Sequence, residues 1–331
     1  MQAIRFRAKG EIAAEPVADP APGPGEALVA VRASGICHTD LEILRGNYGT
    51  GAFPLTPGHE FAGVVEAVGP GVETLVPGDR VVADPNLECG TCRSCRRGWA
   101  HLCERLGAYG VTVDGGFAER CVVKAAALHP IGDTPFPVAA LAEPMGCALN
   151  GLEAARADRA RNALIFGAGP MGILVAVALR ARGVAEIAMV DVDDARRELA
   201  TAFGFAALAP DGPALEEMRR GADLAVDATG VPSVAAGLVS YVADGGAGLF
   251  FGVCPQDARI EIAPFELFRR QVALCGSHSL NHNIPEALAA LRACGPGIER
   301  IVSHRLPLAE VAAAMREGAP RGALKVQAAL D

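Results

Sequence analysis

In the first third of the chain, apolar residues come in short alternating or continuous runs that glycine and proline repeatedly interrupt. Residues 26–33, 60–69 and 79–83 predict strands, and Pro22-Gly23-Pro24-Gly25, Pro57-Gly58, Pro70-Gly71 and Pro77-Gly78 predict the turns between such segments. Near Pro137 the period changes. Residues 138–155 are rich in Ala and Leu and helical in character, with Glu143-Pro144 near their start. Beyond Ala163, apolar strands (163–166, 186–190, 223–226 and 248–253) alternate with helices at 170–182 and 194–203, which end at Gly183 and Gly204. Further helices are predicted at 285–293 and 308–317. A β-rich part followed by alternating strand and helix predicts an α/β chain with a parallel, doubly wound sheet in its second part.

That alternation gives meaning to Gly167-Ala168-Gly169-Pro170-Met171-Gly172. A G-x-G-x-x-G alone is weak, but here a predicted strand precedes it and a predicted helix follows. The glycines allow a tight turn and a close backbone approach to a pyrophosphate, which the free N–H groups of the helix start would stabilise. The next strand ends at Asp191, 19 residues after Gly172. A carboxylate there would accept hydrogen bonds from the adenosine ribose hydroxyls and repel the phosphate of NADP, favouring NAD. Asp191 also suits a helix N-cap, with Asp193 and Asp194 beside it. Arg196 would flank the adenine or simply stand exposed on its helix. Asp227-Ala228-Thr229-Gly230 and Phe251-Gly252-Val253 fall at strand ends where a cofactor would run, which makes Thr229, Gly252 and Val253 candidates for contact.

Composition narrows the chemistry. The chain has 331 residues, 51% of them hydrophobic, enough for two domains with real cores. Its net charge is −8, and lysine occurs only at Lys9, Lys124 and Lys325, so no clustered cations suit nucleic acid or an anionic membrane. The longest plainly apolar stretch, residues 172–179, is far too short to cross a bilayer. With no signal-like start, a cytoplasmic, reducing location is expected, where ten cysteines serve as metal ligands or small buried residues rather than disulfides. Cys89, Cys92, Cys95 and Cys103 form C-x2-C-x2-C-x7-C, a spacing that lets four thiolates close a tetrahedral shell around a structural zinc. Cys37, in Gly35-Ile36-Cys37-His38-Thr39-Asp40, and His59-Glu60 offer further donors, though a lone Cys or His is by itself unremarkable.

Taken together and in order, Gly-Ile-Cys-His-Thr-Asp, the Gly58–Gly69 run G-H-E-F-A-G-V-V-E-A-V-G, the four-cysteine lobe, G-A-G-P-M-G and V-D-V-D resemble the zinc-containing medium-chain alcohol dehydrogenase superfamily. The resemblance covers essentially the whole chain. It implies a GroES-like catalytic domain (1–142, with a structural zinc lobe at 86–105), a Rossmann NAD-binding domain (143–275) and a C-terminal segment (276–331) returning to the catalytic domain. It places the active site in the cleft between the two domains, and it implies a homodimer or homotetramer. By the same resemblance Cys37 and His59 bind a catalytic zinc, Glu60 is a carboxylate able to enter its coordination shell, and Asp40 orients His59. In the third ligand position simple alcohol dehydrogenases carry a cysteine. Here Leu141-Ala142-Glu143-Pro144-Met145 resembles the sorbitol, polyol and threonine dehydrogenase branch, where the glutamate binds zinc directly or through water. Glu143 is the expected ligand and Cys147 the alternative.

The implied reaction is zinc-dependent, NAD-linked oxidation of a secondary hydroxyl, with Thr39 accepting the alcohol proton. Thr39 would otherwise be a polar residue capping the next helix. Two zinc ions per chain follow, one catalytic and one structural. Where many relatives place a relay histidine three residues after that hydroxyl, this chain has Glu42, which leaves the proton exit open. His38 resembles a pyrophosphate contact of some simple alcohol dehydrogenases, so a polyol substrate has simple secondary alcohols as its rival. A non-catalytic NAD-binding protein that kept the fold is the reading from another class. Residues 45–54 and 107–117 would wall the pocket, with Tyr48, Phe53 and Tyr109 as candidates. Ser277, His278 and Asn281 would lie near the nicotinamide or a subunit interface.

Overall fold

The computed structural model describes residues 1–48, 52–295 and 297–330. The chain divides into two compact units, Met1–Glu143 with Asn281–Asp331, and Pro144–Leu280.

The first unit is built on a seven-stranded sheet. Six strands run in the order Val302–Leu306, Lys325–Ala329, Glu26–Gly35, Glu60–Val68, Arg80–Ala83 and Leu128–Pro130, and Arg120–Lys124 pairs with Glu26–Gly35 as well. Glu26–Gly35 is the hub, antiparallel to Glu60–Val68, Arg120–Lys124 and Lys325–Ala329. Its alternate residues Val29 and Val31 face one core with Phe61, Val65 and Phe117, as the two-residue period of a strand requires. One register has consequences for chemistry: Gly35 lies opposite Glu60 on one side and Gln327 on the other.

The second unit holds a six-stranded, all-parallel sheet. Its strands along the chain are Asn162–Phe166, Glu186–Val190, Ala206–Leu208, Ala222–Asp227, Val242–Phe250 and Ala273–Gly276, and their order in space is 3-2-1-4-5-6. Leu164 and Ile165 in the first of these are both fully buried, as expected of a strand covered on both faces. The order reverses between the first and fourth strands, the place where such sheets bind nucleotides beyond their carboxyl ends.

Two predicted elements differ in outline. Residues 138–155 form two helices, Phe136–Ala139 and Ala142–Ala154, rather than one. A continuous helix would put Pro144 in its interior, with no N–H to donate and a ring against the preceding turn. Restarting at Ala142 puts Pro144 in a first turn, where no donor is needed. The strand expected at 248–253 runs instead over Val242–Phe250, because the amides of Phe251 and Gly252 both leave the ladder for the Asp227 carbonyl, at 3.0 and 2.7 Å.

The parallel sheet depends on its central strand. Leu164→Ala is expected to destabilise the protein by about 2–5 kcal/mol, read from the urea midpoint. A loss well below that range would mean the core refills the space.

Candidate active site and metal sites

In the first unit the chain turn after Gly35 brings three donors together. Cys37 is the N-cap of the helix His38–Leu44, held by a reciprocal box in which its backbone N–H donates to Asp40 Oδ2 at 2.8 Å. Fully buried Asp40 turns its other oxygen to the Gly58 amide at 3.3 Å and to His59 Nδ1 at 3.5 Å. The carboxylate thus stands beside the imidazole as a charge partner, while Nδ1 makes no hydrogen bond at that distance. The ligand atoms of Cys37, His59 and Glu60 all lie within 4.8 Å of one another. Burial works against a charge on His59, but Asp40 and Cys37 outweigh it and hold the metal-free imidazole well above its ordinary range.

Glu60 is fully buried and has a partner that sequence reading missed. Lys325 Nζ donates to Glu60 Oε1 at 2.7 Å and to the Ile36 carbonyl at 3.0 Å. Burial disfavours the ammonium, yet Glu60, Cys37 and Glu143 together hold Lys325 above its usual value. Glu60 Oε2 accepts no hydrogen bond and is the oxygen left available to a cation. Its position depends on Gly35, where a Cβ would lie 2.3 Å from that oxygen. Glu143, 7% exposed at the start of the helix Ala142–Ala154, stands near Lys325 but outside the trio. Cys147 belongs to the second unit.

Thr39 sits inside the first turn of its helix, since Cys37 is the cap. His38 is exposed and 3.6 Å from Glu42. Glu42 accepts from Asn47 and Arg45 at 3.0 and 2.6 Å, and those bonds keep it below the usual carboxylate range. Among the wall candidates, Tyr109 is a core residue whose hydroxyl accepts the Lys124 amide at 2.8 Å. Tyr48 is exposed and Phe53 packs on the core, while residues 49–51 of that loop lie outside the described residues.

The sulfurs of Cys89, Cys92, Cys95 and Cys103 also gather within 4.8 Å. Backbone amides of Cys89, Cys92 and Arg105 donate to them, each at 3.3 Å. The Arg105 side chain and the surrounding amides lower Cys89 to about 5, whereas partial burial and the neighbouring thiols push Cys95 up to about 12. Metal-free, the cluster holds its negative charge unevenly. A tetrahedral Zn2+ would take all four as thiolates.

In the second unit the G-x-G-x-x-G forms the predicted turn. Gly169 is the N-cap of the helix Pro170–Ala181, and Met171 lies in its first turn. Gly172 packs so closely that a Cβ would stand 1.9 Å from the Gly167 carbonyl oxygen, whereas Gly169 faces open space apart from Arg196. Asp191, 7% exposed, accepts the Ala168 amide at 2.7 Å and the Asp193 amide at 3.0 Å, and Arg196 approaches to 3.9 Å. Asp193, not Asp191, caps the next helix, Asp194–Ala202. Thr229 donates through N and Oγ1 to buried Asp227 at 2.8 and 2.6 Å, Gly252 abuts the Gly230 amide, and Val253 is exposed. The Asn150 side chain binds the carbonyls of His278 and Ser279 at 3.1 and 2.9 Å. Asn281 instead reaches the Gly98 carbonyl of the cysteine lobe at 3.0 Å.

Two measurements probe the trio. Lys325→Met leaves Glu60 buried without its cation and is expected to cost the metal-free protein about 3–5 kcal/mol in urea unfolding. An unchanged midpoint would mean the pair contributes nothing. Asp40 and Cys37 raise metal-free His59, and both an imidazole and a thiol must be deprotonated to bind zinc, so binding has to displace protons. Titrating the zinc-free protein with Zn2+ in weakly buffered indicator dye at pH 7 is expected to release protons, with affinity falling as pH falls. Proton-neutral uptake would contradict the assigned thiol and imidazole ligands.

Comparison with known proteins agrees with this geometry. Residues 23–133 match the alcohol dehydrogenase GroES-like domain family and residues 170–293 the zinc-binding dehydrogenase family. The chain is 52% identical over 317 residues to the D-altritol 5-dehydrogenase of Agrobacterium fabrum, covering 94% of each chain. It is 34% identical to D-arabinitol dehydrogenase 1 of Uromyces fabae, over 91% of this chain and 89% of that one. A solved structure assigned as a zinc-binding dehydrogenase of Sinorhizobium meliloti 1021, bound to NADP, superposes with a TM-score of 0.94 at 31% identity, over 99% and 98% of the two chains. With a GroES-like unit, a Rossmann unit and both zinc-type donor sets in one chain, the protein belongs to the zinc-containing medium-chain alcohol dehydrogenase superfamily, near its polyol dehydrogenase branch.

Proposed function

We propose that the enzyme oxidises a secondary hydroxyl of a polyol or sugar alcohol to the ketone, reversibly, with NAD as acceptor. The chemistry rests on the Cys37–His59–Glu60 trio, and the substrate class on the 52% identity to a D-altritol 5-dehydrogenase. The donor sets fit zinc: a thiol, an imidazole and a free carboxylate oxygen in one place, and four sulfurs in the other. Bound zinc supplies the electrophile that makes the substrate hydroxyl acidic, and NAD supplies the hydride acceptor.

The chain's own residues do the rest. Cys37 and His59 bind the catalytic ion, with Glu143 as third ligand. Glu60 is free to join through Oε2 while Lys325 retains Oε1. Asp40 holds His59 with its metal-facing nitrogen deprotonated, and Thr39 takes the substrate proton. Cys89, Cys92, Cys95 and Cys103 hold the structural ion. Gly167, Gly169, Pro170, Met171 and Gly172 present helix N–H groups to the pyrophosphate, with His38 as a further contact. Thr229, Gly252 and Val253 border the cofactor, and Arg196 flanks the adenine. Asp191 spends one lone pair per oxygen on backbone amides and keeps others for the ribose hydroxyls, and its charge disfavours the extra phosphate of NADP.

A reducing, cytoplasmic setting suits two thiol-containing sites. Among the described residues no helix is long and apolar enough to cross a membrane. A homodimer or homotetramer is supported by the exposed pair Phe265 and Phe268, 68% and 81% accessible on the helix Pro264–Arg270.

With zinc-replete enzyme followed by NADH absorbance, altritol, arabinitol, sorbitol and xylitol are to be compared with simple secondary alcohols, using NAD and NADP in turn. Turnover of polyols, faster with NAD than with NADP, is the expected result. Turnover confined to simple alcohols would overturn the substrate class, and preference for NADP would overturn the role given to Asp191.

A further inference from the structure

Beside the cysteine lobe, the first unit holds another group of ligand-type side chains that the dehydrogenase chemistry does not use. Asp84 follows the strand Arg80–Ala83 and is 3% exposed. Its Oδ1 accepts the Asn86 amide at 3.1 Å, but Oδ2 is buried without a hydrogen bond. The group facing Oδ2 is His282 Nδ1, at 3.5 Å, and the opposite ring nitrogen, Nε2, stands 3.5 Å from Glu88 Oε1. Asp84, Glu88, His282 and His129 line one cavity of about 140 Å³. His129 comes from the strand Leu128–Pro130, which pairs with the strand leading to Asp84. Its burial holds it below the ordinary imidazole range, so it enters the cavity as a neutral ring with a lone pair.

We propose that Asp84 and His282, joined by His129, form a third metal site, for a borderline divalent cation such as Zn2+, separate from the catalytic trio and from the four cysteines. Two N/O ligands of one tetrahedral zinc stand about 3.3–3.4 Å apart, given bonds of about 2.0–2.1 Å. The Oδ2–Nδ1 separation of 3.5 Å is close to that spacing, and Oδ2 makes no hydrogen bond. Glu88 supplies the complementary feature: its carboxylate, 3.5 Å from Nε2, favours by charge the tautomer protonated there, whose Nδ1 carries the lone pair, as in a carboxylate–histidine–metal arrangement. A cation would also partner the Asp84 oxygen that is buried without a hydrogen bond. The ion has two donors in place and recruits His129 by rotation of its ring. Lys124 borders the cavity but is exposed and free to turn to solvent. One carboxylate and two imidazoles with a nearby ammonium make a site filled at elevated zinc, not one that retains its ion through purification. Occupied, it would tie the segment entering the C-terminal region to Glu88, the residue before the structural ligand Cys89.

The test uses zinc-replete enzyme dialysed against buffered excess Zn2+, with metal per chain measured by mass spectrometry for wild type, His282→Gln and His129→Gln. His282 is half-exposed, so its variant is expected to fold, and unchanged dehydrogenase activity at low zinc verifies that both variants are intact. The wild type is expected to take up one equivalent more than either variant, and added zinc is expected to raise its melting temperature but not theirs. Equal metal content in all three proteins overturns the site, whether the additional ion is missing from all or retained by all. Its retention by either variant alone does so too.

Discussion

Glu60 and Lys325 are both buried, 265 residues apart in the chain, and joined at 2.7 Å. Neither charge could occupy that position alone, because burying an unpaired ion costs several kcal/mol. Much of the first unit can be understood from this pair. The C-terminal strand Lys325–Ala329 lies against Glu26–Gly35, and Glu60–Val68 lies on the other side, so the sheet register itself delivers cation and anion to one point. Gly35, between them, has no side chain because Glu60 Oε2 occupies the space a Cβ would fill. A change of register in either strand pair would expose the ion pair or split it.

The pair also governs what a metal can do nearby. With Oε1 held by Lys325, Glu60 offers one oxygen to the site instead of two, and the ammonium offsets part of the negative charge that Cys37 and Glu143 bring. Asp40 plays the matching part for His59, and it is itself fixed by the amides of Cys37 and Gly58. Glu60 and His59 each face a group that is held in turn by backbone. Such support keeps ligands within the small tolerance a metal site needs.

The second unit shows the same economy with different means. Asp191 closes the phosphate-binding turn by accepting the Ala168 amide, so the residue that would read the ribose also shapes the loop that would take the pyrophosphate. Asp227 does the equivalent at the next strand end, gathering Thr229 and Gly230 around one oxygen. A substitution at either aspartate would alter loop shape and ligand contact together.

Local patterns determined much of this protein. The glycine-rich turn between strand and helix, the four-cysteine spacing and the alternating apolar runs were legible in the sequence, because each depends on residues close together in the chain. The proline that restarts the helix at Ala142 was visible too, though its effect of dividing residues 138–155 emerged only with the backbone. The tertiary structure alone decided that Asp193 is the cap and leaves Asp191 free for its turn, that Tyr109 is core, and that Asn281 reaches the cysteine lobe. It alone revealed Lys325, whose only trace in the sequence is a rare lysine in an apolar strand, and the meeting of Asp84 with His282. The Glu60–Lys325 pair and the meeting of Asp84 with His282 depend on strand register and on segments far apart in the chain, and no local preference of the residues encodes either.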